Sequence, residues 1–326
     1  MRKPYFIIFV LLLVTACTGP QLKIFSETPE PLREFTLEGI GKDKILLIAV
    51  NGLISDMPKR GVIRTSASLV EQIVSQINKA EKDKQIKAVL FKINSPGGTI
   101  TASDLLYHEI ASFKERTDAK IIVSMMDIAA SGAYYMSLPA DMIIAHPTSV
   151  TGSVGVIFLK PKVIGLMDKI GLGVDVKKFG KNKDMGSPFR DSSEEEQTLL
   201  QKAVDDFGDR FLRLVQKHRK LSEQAFKEIS TGRVLLADDA WKLGLVDKIG
   251  YLSDAVKESK KLARVSEDAR VVVYRRVEFP EDNYYNVAGV ASEDLNISAI
   301  SINLTETLSL KAGFYYLWPG AMAFER

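Results

Sequence analysis

Two short stretches of small residues carry groups that could perform acyl-transfer chemistry. In the first, residues 127–139 read D-I-A-A-S-G-A-Y-Y-M-S-L-P, and Ser131 follows a β-branched run where a helix could begin. A serine at such a junction has unpaired helix amides beside it, and these would stabilise the negative charge of an attacked carbonyl. Taken alone, the stretch favours a simple helix N-cap over a nucleophile.

The second stretch is Asn94–Gly98, which reads N-S-P-G-G between a predicted strand and a predicted helix. Paired glycines let the backbone approach a ligand closely with its amides turned inward, although such pairs more often form a tight turn with positive φ. Together with Ser131, the two stretches would supply two amide donors near one hydroxyl. That combination describes an oxyanion hole with its nucleophile.

A nucleophilic serine also needs a base. The chain has three histidines, of which His108 and His218 fall in amphipathic helices and are expected to be solvated or structural. His146 follows a predicted strand and is the histidine to test as a triad member. A lysine can serve instead if burial lowers its pKa from about 10.4 toward neutrality. Pattern alone does not choose it among 44 basic residues.

Strands that alternate with helices must position these groups. Apolar runs of strand length predict strands at 45–50, 87–93, 120–125, 142–145, 150–158, 174–178 and 270–274. Helical spacing and capping signals predict helices at 68–81, 101–114, 131–138 and 193–217, with shorter ones at 222–229, 237–243 and 253–262. The alternation predicts an α/β fold with a largely parallel sheet.

The N-terminus predicts export and lipidation. Two basic residues precede an apolar run over 5–14 that is too short to span a bilayer but has the length of a secretory signal. It ends at Val14-Thr15-Ala16-Cys17, which resembles a bacterial lipobox with Cys17 as the lipidated residue. We predict a signal peptide over 1–16, a tether over 17–43, a globular domain over 44–264 and an extension over 265–326. Two glycosylation sequons in the extension are interpreted as chance matches.

Composition excludes several other classes. The chain has 326 residues, 46% of them hydrophobic, and its 44 basic and 41 acidic residues nearly balance, so a nucleic-acid partner is not expected. It contains neither a phosphate-binding loop motif nor a complete dinucleotide fingerprint. A single cysteine excludes an intramolecular disulfide and a paired-cysteine metal site. We expect no metal and no cofactor.

Four motifs in this order resemble the signal peptide peptidase A (SppA) family of bacterial serine-lysine peptidases. They are N-S-P-G-G at 94–98, A-A-S-G-A-Y-Y at 129–135, T-G-S at 151–153 and G-K-N-K-D-M-G-S-P at 180–188. The similarity covers roughly residues 45–262. It implies a fold like that of ClpP and crotonase, a repeated β-β-α superhelix with a helical C-terminal part.

The resemblance also implies a role for each matching residue. Ser131 would be the nucleophile and Lys183, the second lysine of G-K-N-K-D, the general base. Gly98 and Gly132 would donate oxyanion amides, and the Ser153 hydroxyl would orient the lysine amine. Many relatives have a second glycine two residues after the serine, where this chain has alanine.

The family's activity implies an extracytoplasmic, membrane-anchored endopeptidase that degrades remnant signal peptides or other unfolded hydrophobic segments. Short members form rings in which the lysine reaches the serine of a neighbour, so we expect a homo-oligomer with shared sites. Two alternatives remain, a catalytically inactive lipoprotein scaffold and a crotonase-type enzyme acting on acyl-CoA. Exported chains have little access to CoA, and the presence of both Ser131 and Lys183 argues against the scaffold.

Overall fold

A computed structural model describes residues 30–60, 65–279, 282–286 and 312–323. Its main sheet has nine strands, which are β1 Arg33–Glu38, β2 Lys44–Asn51, β5 Ile86–Ser95, β7 Lys120–Ala130, β8 Met142–Ala145, β9 Val150–Gly152, β11 Val234–Leu236, β12 Lys248–Ile249 and β13 Arg270–Arg275. Seven of them lie in the order β1-β13-β2-β5-β7-β8-β12, while β9 pairs with β7 and with β11. Every pairing is parallel except β1 with β13 and β9 with β11.

Two smaller sheets accompany it. The strands β6 (Gly97–Thr99), β10 (Ile157–Leu159) and β14 (Gly313–Leu317) form an antiparallel sheet in the order β10-β14-β6. The strands β3 (Lys59–Arg60) and β4 (Thr65–Ser66) pair with each other. Because β6 contains the two glycines of the N-S-P-G-G stretch, the second sheet lies directly at the candidate site.

The helices follow the strands that they cover. Their bounds are α1 Leu69–Glu81, α2 Ile100–Arg116, α3 Gly132–Ser137, α4 Ile164–Ile170, α5 Glu194–His218, α6 Glu223–Ile229, α7 Ala237–Lys242 and α8 Leu252–Leu262, with a 3₁₀ helix at Pro319–Ala323. Ser68, Thr99 and Ser193 cap α1, α2 and α5 with their side chains, as Ser and Thr at such positions predict. None of the helices in the described ranges is long and apolar enough to cross a membrane.

The core lies on both faces of the central strands. Residues that point to one face, including Ile45, Leu47 and Leu90, pack against Leu252 and Val256 of α8. Their neighbours on the opposite face, such as Leu46, Ile48 and Val89, are buried as well. Burial on both faces explains why these strands are continuous apolar runs rather than alternating ones. This packing also fixes the positions of the ends of β5 and β7, where the stretches that carry Gly98 and Ser131 begin.

Three sequence predictions need correction. The strand expected at 174–178 is not formed, and the strand expected at 150–158 is two short strands, β9 and β10, that belong to different sheets. The tether predicted over 17–43 extends too far toward the domain. Residues 33–38, which it included, form β1 and pair with β13 of the main sheet. Phe35 and Leu37 of β1 pack against the core. Cys17 and both sequons lie outside the described residues.

Candidate functional site

Ser131 lies in a strained turn between β7 and α3. Its backbone has φ 53° and ψ −115°, a conformation that non-glycine residues rarely adopt and that is concentrated at functional sites. The residue is 1% exposed, and its buried Oγ has no hydrogen-bond partner among the residues that the structure describes. Buried hydroxyls are usually satisfied by a partner. A buried hydroxyl without such a partner marks Ser131 as a candidate functional residue.

Closely packed glycines lie next to this serine. A Cβ on Gly132 would lie 2.3 Å from Ser103 Oγ and 3.1 Å from the Gly98 nitrogen, and a Cβ on Gly97 would lie 2.7 Å from the Gly132 nitrogen. A Cβ on Gly98 would lie 1.8 Å from the carbonyl oxygen of Ile54. Packing this close leaves no room for a side chain at these three positions, and it brings Gly98 and Gly132 together. The structure thus brings these predicted oxyanion residues to Ser131.

Ser153 also lies beside the serine. Strands β7 and β9 pair with Ala130 opposite Gly152, and the Ser131 amide donates to the Gly152 carbonyl at 2.8 Å. Ser153 follows directly, with φ 51°, and its amide donates to the Arg233 carbonyl at 2.9 Å. Two serines with positive φ therefore lie next to each other across one strand pairing.

Within the described part of one chain, Lys183 is not hydrogen-bonded to Ser131. It lies in an exposed run of turns between α4 and α5, where its amide donates to the Gly180 carbonyl at 3.2 Å. Ser131, in contrast, is buried, and its Oγ has no hydrogen-bond partner in the described part of the chain. A dyad of these two residues would need Lys183 from a second copy.

The turn that carries Lys183 is held by an ionic cluster. The Arg190 Nε and Nη2 donate to the two carboxylate oxygens of Asp184 at 2.8 Å each, and Nη1 donates to Glu196 Oε2 at 2.9 Å. Lys178 also donates to Asp184 at 2.6 Å. Hydrogen bonds from Arg190 lower the pKa of Asp184 and bring the pKa of Glu196 to about 2. Both carboxylates are therefore charged at neutral pH.

The histidines are occupied elsewhere. His146, the candidate triad member, lies 2.9 Å from the Thr148 hydroxyl through its Nδ1 and packs edge-on against Tyr251. His218 lies 2.8 Å from the Tyr107 hydroxyl through its Nε2, and burial lowers its pKa. His108 is exposed on α2. None of the three is hydrogen-bonded to Ser131 in the described part of the chain.

An aromatic cluster includes Tyr135 of the helix that follows the serine. The Tyr135 ring on α3 packs against Phe211 of α5 at 4.9 Å and stacks on Tyr316 of β14 at 5.0 Å. The Tyr135 hydroxyl donates to Asp104 at 2.6 Å, and Arg210 donates to the same carboxylate oxygen. Burial and this hydrogen bond raise the pKa of Tyr135, so the hydroxyl remains protonated.

Strand β14 is the part of the site that sequence reasoning missed. Residues 313–318 read G-F-Y-Y-L-W, an aromatic run of high strand propensity that could have indicated a strand. It lies about 200 residues from the turn it contacts, so local pattern gives no indication of its partner. The extension over 265–326 therefore contributes β13 to the main sheet and β14 to the site.

Comparisons with known proteins identify the family of this chain. The model of peptidase family S49 matches residues 114–266, and the Clp protease model matches residues 62–150. The Clp protease match and the mixed α/β architecture confirm the predicted fold class. The S49 match includes Ser131, Ser153 and Lys183.

Several relatives are similar over most of this chain. A protein of Enterococcus faecium described as a signal peptide peptidase SppA is 37% identical over 80% of this chain and 75% of its own. A protein of Methanocaldococcus jannaschii described as a protease is 34% identical over 82% of this chain and 85% of its own. Protease 4 of Haemophilus influenzae is 30% identical over 82% of this chain but only 42% of its own length. The chain therefore belongs to peptidase family S49 and is a serine peptidase.

Proposed function

We propose that this chain is a serine-lysine endopeptidase in which Ser131 of one copy is activated by Lys183 of another. The observation that carries the proposal is the Ser131 hydroxyl, which is buried and has no hydrogen-bond partner among the described residues. The residue directly precedes Gly132, which packs closely against Gly98. The exposed position of Lys183 favours a base supplied between copies rather than within one.

The geometry supports a stepwise acyl transfer. Neutral Lys183 removes the hydroxyl proton as Ser131 Oγ adds to the peptide carbonyl carbon, and the amides of Gly98 and Gly132 donate to the oxyanion. The lysine then gives that proton to the leaving nitrogen, and the C–N bond breaks. Water hydrolyses the resulting ester and regenerates the serine. Ser153, adjacent to Ser131, orients the lysine amine.

A mixing experiment tests the shared site. Chains with Ser131→Ala and chains with Lys183→Ala should each be inactive on a fluorogenic peptide, and mixed assemblies should recover up to about a quarter of wild-type activity. Subunit exchange is verified with differently tagged chains. Turnover that survives Ser131→Ala removes the nucleophile, and verified mixed assemblies without activity contradict the shared site. A wild-type chain without turnover would favour the inactive scaffold.

We also propose that Cys17 is lipidated and holds the enzyme at the extracytoplasmic face of a bacterial membrane. There it would meet remnant signal peptides and other unfolded hydrophobic segments, the substrates that the family implies. The lipobox-like sequence supports this placement. Cells grown with labelled palmitate should yield a labelled, membrane-bound protein, whereas Cys17→Ser should be unlabelled and soluble. Equal labelling of the two chains would contradict the proposal.

A further inference from the structure

Strand β7 contains a bulge shortly before Ser131. Its pairing with β5 runs without a break to Met125 and resumes at Ala129, so β7 advances four residues where β5 advances two. Bulges are uncommon between parallel strands, and those beside active sites often re-aim a side chain. They also interrupt the ladder of backbone hydrogen bonds. The segment that leads into Ser131 therefore depends on bonds other than those of a regular ladder.

Polar side chains bind the backbone of the bulge. Asn94 lies on β5 opposite the extra residues of β7, and its Oδ1 accepts from the Ile128 amide at 3.0 Å. Ser149, which is buried just before β9, donates through its Oγ to the Met125 carbonyl at 3.0 Å. The beginning and the end of the bulge are thus each bound by a side chain from a neighbouring segment.

Thr151 binds the backbone after the bulge. It is fully buried on β9 opposite Ala129, and its Oγ1 donates to the Ala129 carbonyl at 2.7 Å. The next residue of β9 is Gly152, whose carbonyl accepts from the Ser131 amide at 2.8 Å. Two consecutive residues of β9 therefore bind the backbone on both sides of Ala130, directly before the candidate nucleophile.

The backbone of Ser131 needs such bonds because it is strained. Its φ of 53° and ψ of −115° form a conformation that glycine adopts easily and that residues with a Cβ rarely adopt. A strained backbone persists only where the surrounding structure determines it. On the helix side, the Ser131 carbonyl accepts from the Tyr135 amide at 2.8 Å. On the strand side, Gly152 and Thr151 supply the corresponding bonds.

We propose that Thr151 is a positioning residue that holds Ser131 in this strained turn through the Ala129 carbonyl. The inference rests on the proposed function and deepens it, because it names the residue that aims the nucleophile. Loss of the Thr151 hydroxyl would let the turn relax and move the Ser131 Oγ. A misplacement of about 1 Å at a reacting atom can lower a rate about 100-fold. Thr151 acts through the backbone of the nucleophile, so its loss should change kcat rather than KM.

Thr151→Val tests the kinetic consequence, because valine keeps the branched shape and removes the hydroxyl. On a fluorogenic peptide we expect kcat to fall about 30- to 100-fold with KM within about twofold of wild type. Thr151→Ser keeps the hydroxyl and should stay within about threefold of wild-type kcat. Thr117→Val is the matched control, since Thr117 Oγ1 donates to the Phe113 carbonyl at 2.8 Å at the end of α2. It loses an equivalent bond and should keep wild-type kcat.

Ser131→Ala, measured alongside, separates this inference from the catalytic proposal. Turnover that survives Ser131→Ala removes the nucleophile itself. An inactive Ser131→Ala together with wild-type kcat in folded Thr151→Val overturns the positioning role alone. A rise in KM at unchanged kcat in Thr151→Val overturns it as well, because that result places Thr151 in substrate binding.

Thermal unfolding tests the strain without any turnover. Ser131→Gly removes the Cβ at a φ that glycine adopts freely, so it should raise the Tm of the wild-type chain by about 2 °C or more. In the Thr151→Val background, where the turn has relaxed, the same change should raise Tm by less than half as much. In the Thr117→Val background the full increase should persist. Equal increases in all three backgrounds, or no increase in the wild-type chain, overturn the inference whether or not Ser131 is the nucleophile.

Discussion

At the scale of single residues, the site depends on close backbone approach at glycines. The sequence predicted Ser131, Gly98 and Gly132, because small residues between a strand and a helix are typical of places where the backbone itself contacts a ligand. It did not predict the strained backbone of Ser131, or that its hydroxyl has no hydrogen-bond partner in the described ranges. Both result from the packing of β6, β9 and α3 around the serine, which pattern does not encode.

Gly98 is the residue at which this close approach can be tested. A Cβ there would lie 1.8 Å from the Ile54 carbonyl oxygen, a rigid backbone atom. Gly98→Ala should therefore shift β6, destabilise the fold by about 1–3 kcal/mol and lower kcat about 100-fold or more by moving an oxyanion donor. Thermal unfolding and peptide turnover measure the two effects.

Gly208 supplies the control for this substitution. It lies within α5, and a Cβ there would meet nothing within 4 Å. Gly208→Ala should stabilise the protein by about 0.5–1 kcal/mol and leave kcat unchanged, because alanine costs less conformational entropy in a helix. Similar loss of activity in both variants would contradict a specific role for Gly98.

At the scale of elements, α5 contacts both the helix that follows Ser131 and the loop that carries Lys183. Its Phe211 packs on Tyr135 in the helix after Ser131, and the Glu196 carboxylate near its start binds Arg190 beside the Lys183 turn. The sequence predicted α5 from its capping box and apolar stripe. It did not predict that Glu196, which completes that capping box, is shared with Arg190 from the preceding loop.

We predict that Arg190 positions the Lys183 turn. Arg190→Lys keeps the charge but loses the planar fork that binds Asp184 and Glu196 together, so kcat should fall about tenfold with little change in KM. Arg116→Lys is the matched control, since Arg116 binds Glu81 through two nitrogens at 2.7 and 3.0 Å on the far end of α2. It should leave kcat unchanged. Equal kcat in wild type and Arg190→Lys would show that the turn does not need this residue.

The same cluster gives a pH dependence. Arg190 lowers the pKa of Glu196 from 4.5 to about 2. The contribution of the Arg190–Glu196 interaction to the free energy of unfolding is therefore fully present above about pH 5. The contribution is lost as pH falls from there through about pH 2. The decrease in unfolding free energy between pH 5 and pH 3 should therefore be smaller in Arg190→Gln than in wild type, as measured by urea denaturation. Parallel curves for the two proteins would contradict this coupling.

At the scale of the whole molecule, local patterning predicted the parallel sheet but not the second sheet. β2, β5, β7 and β8 are recognisable because both faces are buried and each run is apolar. The sheet β10-β14-β6 joins segments far apart in sequence through short strands of three to five residues. Such strands have weak periodicity, and their pairing depends on the tertiary fold. The expected strand at 174–178 has apolar side chains that are exposed instead.

Those exposed side chains predict where copies assemble. An apolar surface precedes Lys183 and comprises Leu166, Ile170, Leu172, Val174, Val176 and Phe179, with Phe179 100% exposed. Large apolar surfaces of this kind typically mark protein interfaces. A second copy of the chain that covers this surface would bury the segment leading to Lys183. A shared site requires such a second copy.

Phe179→Ser should therefore weaken assembly and activity together. We expect a smaller particle in analytical ultracentrifugation and a loss of turnover per chain of at least about tenfold, because separated copies cannot deliver Lys183 to Ser131. Trp241→Ser is the control. The Trp241 side chain is also large, aromatic and 53% exposed, but it lies on α7, outside this apolar surface. Adding Phe179→Ser to both the Ser131→Ala and Lys183→Ala chains should also abolish their complementation. A Phe179→Ser protein that keeps wild-type mass and turnover would place the interface elsewhere on the molecule.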